Sequence, residues 1–217
     1  MREVTSVSVQ QQSGVRRAAY WPIPLARAIV LIAIALIITF SQDHSPTLGL
    51  TVFGGFAIVT ALIFAIAAIL IHRSAERVIV LLQALVSVVA GVLALAINGG
   101  GLPFFLYLVS VWAAITGFLE LFLGLRARRT PPSRDWIFVG ALTVLFAVVV
   151  LILPPDLNDE FTGSNGVSGV LTAAVIAVGA LGAYAAIAGV YLAIGALSMK
   201  WAGPEPAAVT EHKGHTA

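Results

Sequence analysis

The sequence predicts an all-α, polytopic membrane protein with six transmembrane helices arranged as three parallel-repeat helical hairpins. The first observation is composition: 59% of the residues are hydrophobic and only 10% are charged, whereas a soluble domain has roughly 25% charged residues. The second is a series of six apolar stretches, each long enough to form a membrane-spanning helix. The third is that every Lys and Arg lies in a tail, in an alternate connection or, as with Arg27, in the first turns of a stretch. Together they predict one integral membrane domain.

The six apolar stretches define the expected helices. They are Ile23–Ser41, Leu48–Ile71, Val78–Ile97, Leu102–Leu125, Trp136–Leu153 and Val170–Ser198. A bilayer-spanning helix needs about 20 residues, with a range near 17–25, and the first five stretches fit. The sixth would be about 43 Å long at 1.5 Å per residue, so we expect it to tilt or to begin outside the hydrocarbon. Residues 1–22 and 201–217 are predicted to be disordered cytoplasmic tails that flank the domain at 23–200.

The distribution of charge predicts the orientation. All twelve Lys and Arg residues fall on one side of the predicted spans, and the other side carries Asp43, Asp156, Asp159 and Glu160. An excess of Lys and Arg marks the cytoplasmic side. We therefore expect a multi-pass protein of the plasma (inner) membrane with both termini cytoplasmic. The basic residues border apolar spans and form no separate basic domain, so the expected partners are the lipid bilayer and other membrane proteins or a second copy, not nucleic acid.

An internal repeat predicts the hairpins. The pattern Arg27–Leu31 recurs as Arg77–Leu81, fifty residues later, and Asp135–Val139 opens the fifth helix in the same place. The three predicted hairpins cover about 23–73, 77–129 and 135–200. Small residues in the sixth span, such as the pairs Gly182/Ala186 and Gly189/Ala193, allow close helix packing. They could pack within the chain or form an oligomer interface.

The candidate intramembrane polar site centres on Glu120, the only acidic residue inside an apolar span. An unpaired charge costs about 2.5–3.5 kcal/mol near the bilayer centre, so Glu120 should pair with a basic residue, become protonated or reach the interface. Arg27 is the best partner, because it must lie inside the first turns of its span. The candidate site comprises Glu120, Arg27, Gln83, Arg77 and Thr116. A salt bridge that fixes helix register, a proton or ligand site, and simple snorkelling all remain open.

Other polar features are weaker candidates. His44 lies in a short outer loop and could sense external acid, because histidine titrates between pH 5 and 8. The acidic segment 154–167 matches no calcium-binding pattern and is predicted to be a solvated loop. The sequence has no HExxH, GxSxG or P-loop motif and no cysteine. We therefore expect no enzymatic activity, cofactor or metal site.

The arginines that open the odd helices, together with the segment Ile115–Arg129, resemble the HdeD family of small bacterial acid-resistance membrane proteins built from a short repeat of unknown function. Two features depart from that pattern: Asp135 opens the third hairpin, and its outer loop is long and acidic. The resemblance implies a non-enzymatic membrane protein of acid or envelope stress tolerance, acting through helix packing and oligomer or partner contacts. The alternatives are a small transporter or channel that uses Glu120, Arg27 and Gln83, and an accessory subunit of a larger membrane complex.

Overall fold

The computed structural model describes residues 20–70, 74–127, 133–162 and 168–201. The predicted tails lie outside the described residues, except that Tyr20 and Trp21 lead directly into the first helix and Trp201 ends the last one. The elements in chain order are α1 (Pro22–Phe40), α2 (Pro46–Leu70), α3 (Ser74–Ala96), α4 (Gly101–Arg126), α5 (Ser133–Leu151), β1 (Asn158–Thr162), β2 (Ser168–Thr172) and α6 (Ala173–Trp201). Within these described ranges, six helices are long and apolar enough to cross a membrane, so the chain is a multi-pass membrane protein.

Local sequence explains where the helices begin. Pro22 and Pro46 occupy first turns, where the missing backbone N–H has no helical partner to lose. The Ser45 hydroxyl caps α2 by accepting a hydrogen bond from the Leu48 N–H at 3.2 Å, and Asp43 holds Ser45 by accepting from its N–H at 2.8 Å. Gly101 begins α4 with a φ of +73°, a backbone conformation that glycine adopts without a steric cost.

The connection between α5 and α6 differs from the expectation. Residues predicted as a loop and as the start of the sixth span form an antiparallel hairpin of β1 and β2, in which Asn158 pairs with Thr172. The sixth helix therefore begins at Ala173 rather than Val170. The Ala173 N–H donates to the Leu157 carbonyl at 3.0 Å, which joins the hairpin to the first turn of α6. A strand suits Val170, because β-branched residues fit an extended backbone better than a helix.

The even-numbered helices α2, α4 and α6 form the centre of the six-helix bundle. Half of the apolar window of α2, α4 and α6 is buried, against 39% for α1, α3 and α5. The most extensive packing joins α4 to α5, α2 to α3, and α1 to α6. The first and last helices therefore close the bundle. Each of these pairs joins helices from two different predicted hairpins. The two helices within each hairpin also contact each other, less extensively. The three-hairpin repeat itself stays a prediction.

Glycines bring the closely packed helices together. A Cβ atom at Gly140 of α5 would lie only 2.6 Å from the Leu121 nitrogen and 3.0 Å from the Gly117 carbonyl oxygen of α4. Between α1 and α6, a Cβ atom at Gly189 would lie 3.1 Å from the Ile32 nitrogen, and Gly182 faces Ile38. These two glycines of the predicted small-residue stripe thus pack within the chain, where small residues allow backbones to approach in lipid.

Candidate functional site

The site is built on an ion pair between α1 and α4. The Nη1 atom of Arg27 lies 2.6 Å from the Oε1 atom of Glu120. Arg27 follows the start of α1 by five residues, about 8 Å, and Glu120 precedes Arg126 by six residues, about 9 Å along α4. Both side chains are buried, at 9% and 3% exposure. The guanidinium of Arg27 also lies over the Phe64 ring, 4.9 Å from its centroid, so it adds a cation–π contact with α2.

One oxygen of the pair lacks a directional partner. Oε1 of Glu120 is buried and accepts no hydrogen bond of good geometry from the residues that the structure describes. The Arg27 guanidinium nevertheless lies within hydrogen-bonding distance of Glu120 and attracts this carboxylate strongly. A buried acceptor without a hydrogen bond costs about 1–3 kcal/mol. Oε1 therefore has unused capacity to accept a hydrogen bond.

A small cavity adjoins this ion pair. Its volume is about 10 Å³, counted as the space open to the centre of a water molecule. A cavity of about 10–15 Å³ on this measure holds one water. The lining residues come from α1, α2, α4, α5 and α6, and they are Arg27, Leu31, Phe56, Thr60, Phe64, Trp112, Thr116, Glu120, Thr143 and Tyr184. Aromatic rings thus form much of the wall, and the polar groups come from five different helices.

Three of the four hydroxyl groups that line this cavity, those of Thr116, Thr143 and Tyr184, donate their protons to other groups. Thr143 donates to the Val139 carbonyl at 2.7 Å. Its oxygen lies 3.0 Å from the Tyr184 hydroxyl, so Tyr184 is the donor in that bond, because a threonine has one proton to give. Thr116 donates to the Trp112 carbonyl at 2.7 Å. The oxygens of Tyr184 and Thr116 therefore remain as acceptors.

A second set of polar contacts fixes α3 against α4 behind the cavity. The side-chain amide of Gln83 donates to the Thr116 carbonyl at 3.3 Å, one turn before Glu120. The indole N–H of Trp112 donates to the Ser87 hydroxyl at 3.1 Å. Gln83 and Ser87 are 1% and 0% exposed. These bonds fix the rotation of α4, and hence the direction in which Glu120 points.

The structure brings together part of the predicted site. Arg27, Glu120 and Thr116 line one cavity, and Gln83 reaches it through the backbone of Thr116. Arg77 is exposed near the start of α3 and lies outside the cavity. His44 is half-buried in the connection between α1 and α2, at the other end of the bundle, so its role as a pH sensor stays a prediction.

Sequence reasoning missed several lining residues. Tyr184, Thr143 and Thr60 each interrupt an apolar span with a hydroxyl group, and that interruption is the signal that could have found them. It does not say which hydroxyls share a cavity. Asp135 was also missed as a neighbour of the pair: it interacts electrostatically with Arg27 and lies within hydrogen-bonding reach of Tyr191.

Aromatic residues surround the end of the bundle nearest to the ion pair. This end, called the basic end, carries the exposed Arg77 and Arg126 and also Lys200. The Lys200 ammonium lies 5.0 Å from the centroid of the Trp21 ring. Tyr20 contacts Trp136 edge to face, and burial raises its pKa above the usual range although part of the residue remains exposed. The Tyr20 hydroxyl is therefore protonated.

The comparisons with known proteins concern one segment. Residues 82–152 match the family model of a short repeat of unknown function, DUF308. No curated protein and no solved structure matches the chain significantly. HdeD-like proteins belong to the matched repeat family, so the resemblance is confirmed in this segment, which contains Gln83, Thr116 and Glu120. The protein is therefore a multi-pass membrane protein whose residues 82–152 match the DUF308 short repeat.

Proposed function

We propose that the protein is a non-enzymatic plasma-membrane protein of the HdeD type that acts in acid or envelope stress tolerance, through its packed bundle and contacts with a second copy or a membrane partner. The observation that carries this proposal is the size of the cavity at Glu120. A space of about 10 Å³ accommodates about one water molecule and no larger substrate. The DUF308 segment supports the same assignment.

The proposed orientation places the basic end in the cytoplasm. Exposed Arg77 and Arg126, and the Lys200–Trp21 contact, support it, because Lys and Arg concentrate on the cytoplasmic side and aromatic residues at the membrane interfaces. Acidic Asp159 and Glu160 lie on the β-hairpin at the opposite end. In this orientation the ion pair lies in the cytoplasmic half of the membrane.

Survival measurements test the proposed function. A strain of the native host that lacks the protein is compared with the same strain carrying the wild-type chain, after acid shock and after envelope stress by detergent. We expect the deletion to lower survival under at least one stress and the wild-type chain to restore it. Growth without stress is the control. Equal survival of the deletion and complemented strains under both stresses would exclude a role in stress tolerance.

A small transporter or channel is a second candidate, and the unsatisfied Oε1 atom of Glu120 is the observation that favours it. Transport requires water to reach position 120 from at least one side. Because the chain has no cysteine, Glu120→Cys introduces a single thiol for labelling with a membrane-impermeant maleimide. Leu123→Cys, on the same helix at 0% exposure, and Glu160→Cys, on an exposed hairpin position, are the matched controls.

Labelling of Glu120→Cys at a rate near that of Glu160→Cys would favour a transport route over a packed bundle. Labelling as slow as that of Leu123→Cys would exclude open access. An accessory-subunit role predicts a different result, a stable partner that co-purifies with the chain from native membranes.

A further inference from the structure

We propose that the edge of β2 that faces away from β1, here called the β2 edge, is a dimerisation surface that pairs antiparallel with the β2 edge of a second copy of this chain. The inference rests on the proposed function and deepens it, because it names the surface that contacts the second copy. The first evidence is an open strand edge. In the described structure β1 and β2 pair only with each other, and an unpaired edge presents N–H and C=O groups that another strand can bind.

The hairpin also leaves apolar side chains uncovered. Its main contact with the helices is between β2 and α6, the helix that follows it. Val170 and Leu171 are 49% and 39% exposed. Because successive side chains of a strand point to opposite faces, both faces of the hairpin are open here. A hairpin of only two strands gains stability from additional strands, so a further strand at the β2 edge would stabilise it and shield these two residues from water.

The distribution of charge distinguishes the two edges of the hairpin. β1 carries Asp159 and Glu160, both exposed, and charged side chains on an edge strand oppose its pairing with another chain. Two copies that met through β1 would also place like charges opposite each other, which is destabilising. β2 contains no charged residue. A second copy can therefore pair at the β2 edge, while the acidic strands lie at the two outer edges of the resulting four-stranded sheet.

Membrane insertion favours a second copy as the partner. Copies inserted in one orientation present this hairpin at the same height, and a two-fold axis along the membrane normal can relate two of them, which is the commonest symmetry of homo-oligomers. Such an axis, perpendicular to a sheet that lies across the membrane surface, makes the two β2 strands antiparallel. With the axis at Val170, the middle residue of β2, the whole strand is paired. Val170 then faces Val170 of the second copy, and Gly169 faces Leu171.

Disulfide formation tests this pairing, because the chain has no cysteine. Val170→Cys places the two thiols of a dimer on directly opposite residues, whose Cα atoms are about 4.5–5.5 Å apart, a distance that a disulfide spans. The matched control is Glu160→Cys, at the exposed position that pairs with Val170 across the hairpin. In the proposed dimer the two copies of residue 160 are three strand spacings apart, about 14 Å, which is too far for a disulfide.

The full chain is reconstituted in lipid vesicles and oxidised mildly. We expect Val170→Cys to form a covalent dimer at least about tenfold faster than Glu160→Cys, because strand pairing raises the local concentration of thiols above that of random collisions. Circular dichroism checks that both variants keep their helices. Equal rates of dimer formation in the two variants would refute the β2 surface.

A charge on the β2 edge should separate the copies. In Leu171→Lys the introduced lysine lies opposite Asp159 of its own hairpin, an opposite-charge pair that preserves the hairpin. Across the two-fold axis the two lysines would be about 7–8 Å apart, close enough to repel each other at physiological salt. We expect the wild-type chain and the uncharged control Leu171→Met to be dimers in native lipid, and Leu171→Lys to be mainly monomeric. A monomeric wild-type chain, as expected if lipid headgroups cover the hairpin, would overturn the proposal, and so would a dimer that persists in Leu171→Lys.

The dimer surface and the proposed function fail separately. Equal survival of the deletion and complemented strains would exclude the stress function and leave the cross-linking result unchanged. Slow cross-linking of Val170→Cys, together with survival that the wild-type chain restores, would refute the β2 surface alone.

Discussion

Breaking the ion pair from one side should cost far more than replacing both of its members. At 2.6 Å and an effective dielectric constant near 20, the attraction is about 6 kcal/mol. Desolvation of each ion opposes it by several kcal/mol, so the net contribution of the pair is small. Removal of one partner leaves a buried charge and costs about 3–5 kcal/mol. We expect this full cost for Arg27→Met, which leaves Glu120 charged in a cavity without another cation among the described lining residues.

The reverse change should be milder. In Glu120→Gln the remaining cation still interacts with Asp135, so we expect a cost of about 1–3 kcal/mol, in the range for a disrupted buried hydrogen bond. The double variant Arg27→Met with Glu120→Gln contains no buried charge at the pair. It should be more stable than Arg27→Met alone, with a coupling energy of about 2 kcal/mol or more.

The assay is unfolding of the purified chain in mixed micelles by increasing fractions of SDS. Tryptophan fluorescence, to which Trp112 in the cavity wall contributes, and circular dichroism report the transition. The control is Arg77→Met, which removes an exposed arginine and should change the free energy of unfolding by less than about 0.5 kcal/mol. Additive effects of Arg27→Met and Glu120→Gln, within about 0.5 kcal/mol, would refute the argument that the two charges stabilise each other.

Three further predictions use the same unfolding assay. Gly140→Ala should destabilise the bundle by about 1–3 kcal/mol through overpacking, because the new Cβ atom would lie 2.6 Å from a backbone atom of α4. The control is Gly179→Ala, which should be near neutral because nothing lies within 4 Å of its new Cβ atom. Equal effects of the two substitutions would contradict the close-packing argument. Ser87→Ala should cost about 1–3 kcal/mol because it leaves the buried Trp112 N–H unpaired, and this loss should shrink in a Trp112→Phe background. Ser45→Ala should cost about 0.5–2 kcal/mol by removing the cap of α2, and an unchanged free energy of unfolding would contradict the capping role of Ser45.

Depth along the helices accounts for the part of the site that sequence could predict. Glu120 lies six residues before the end of its helix, and Arg27 lies five residues inside another helix. These two residues must form an ion pair or lose their charges, since lipid provides no other partner. The hydroxyl groups of Thr143 and Tyr184 could not be placed in the same way. They are 41 residues apart and bond to each other only because α5 packs beside α6, and neutral hydroxyls impose a much smaller energetic demand than charges.

The fold shows a similar division. Hydropathy and helix length predict six spans, and these are confirmed. Hydropathy carries no information on which helices are neighbours, because every span is about equally apolar. The neighbours follow instead from where glycines permit backbone approach, as at Gly117 and Gly140. The β-hairpin was missed because its strands are short and polar, and because Val170 and Leu171 extend the apolar pattern of α6 without a break.

The closure of the bundle by its first and last helices has a consequence for biosynthesis. The chain is made from the N-terminus, so α1 enters the membrane before its main packing partner, α6, has been translated. Glu120 follows Arg27 by 93 residues (positions 27 and 120), which takes roughly 5–20 s at 5–20 residues per second. During that interval the arginine must stay near the headgroups or beside the insertion machinery. Final assembly is therefore a late event, which begins only when the last helix leaves the ribosome.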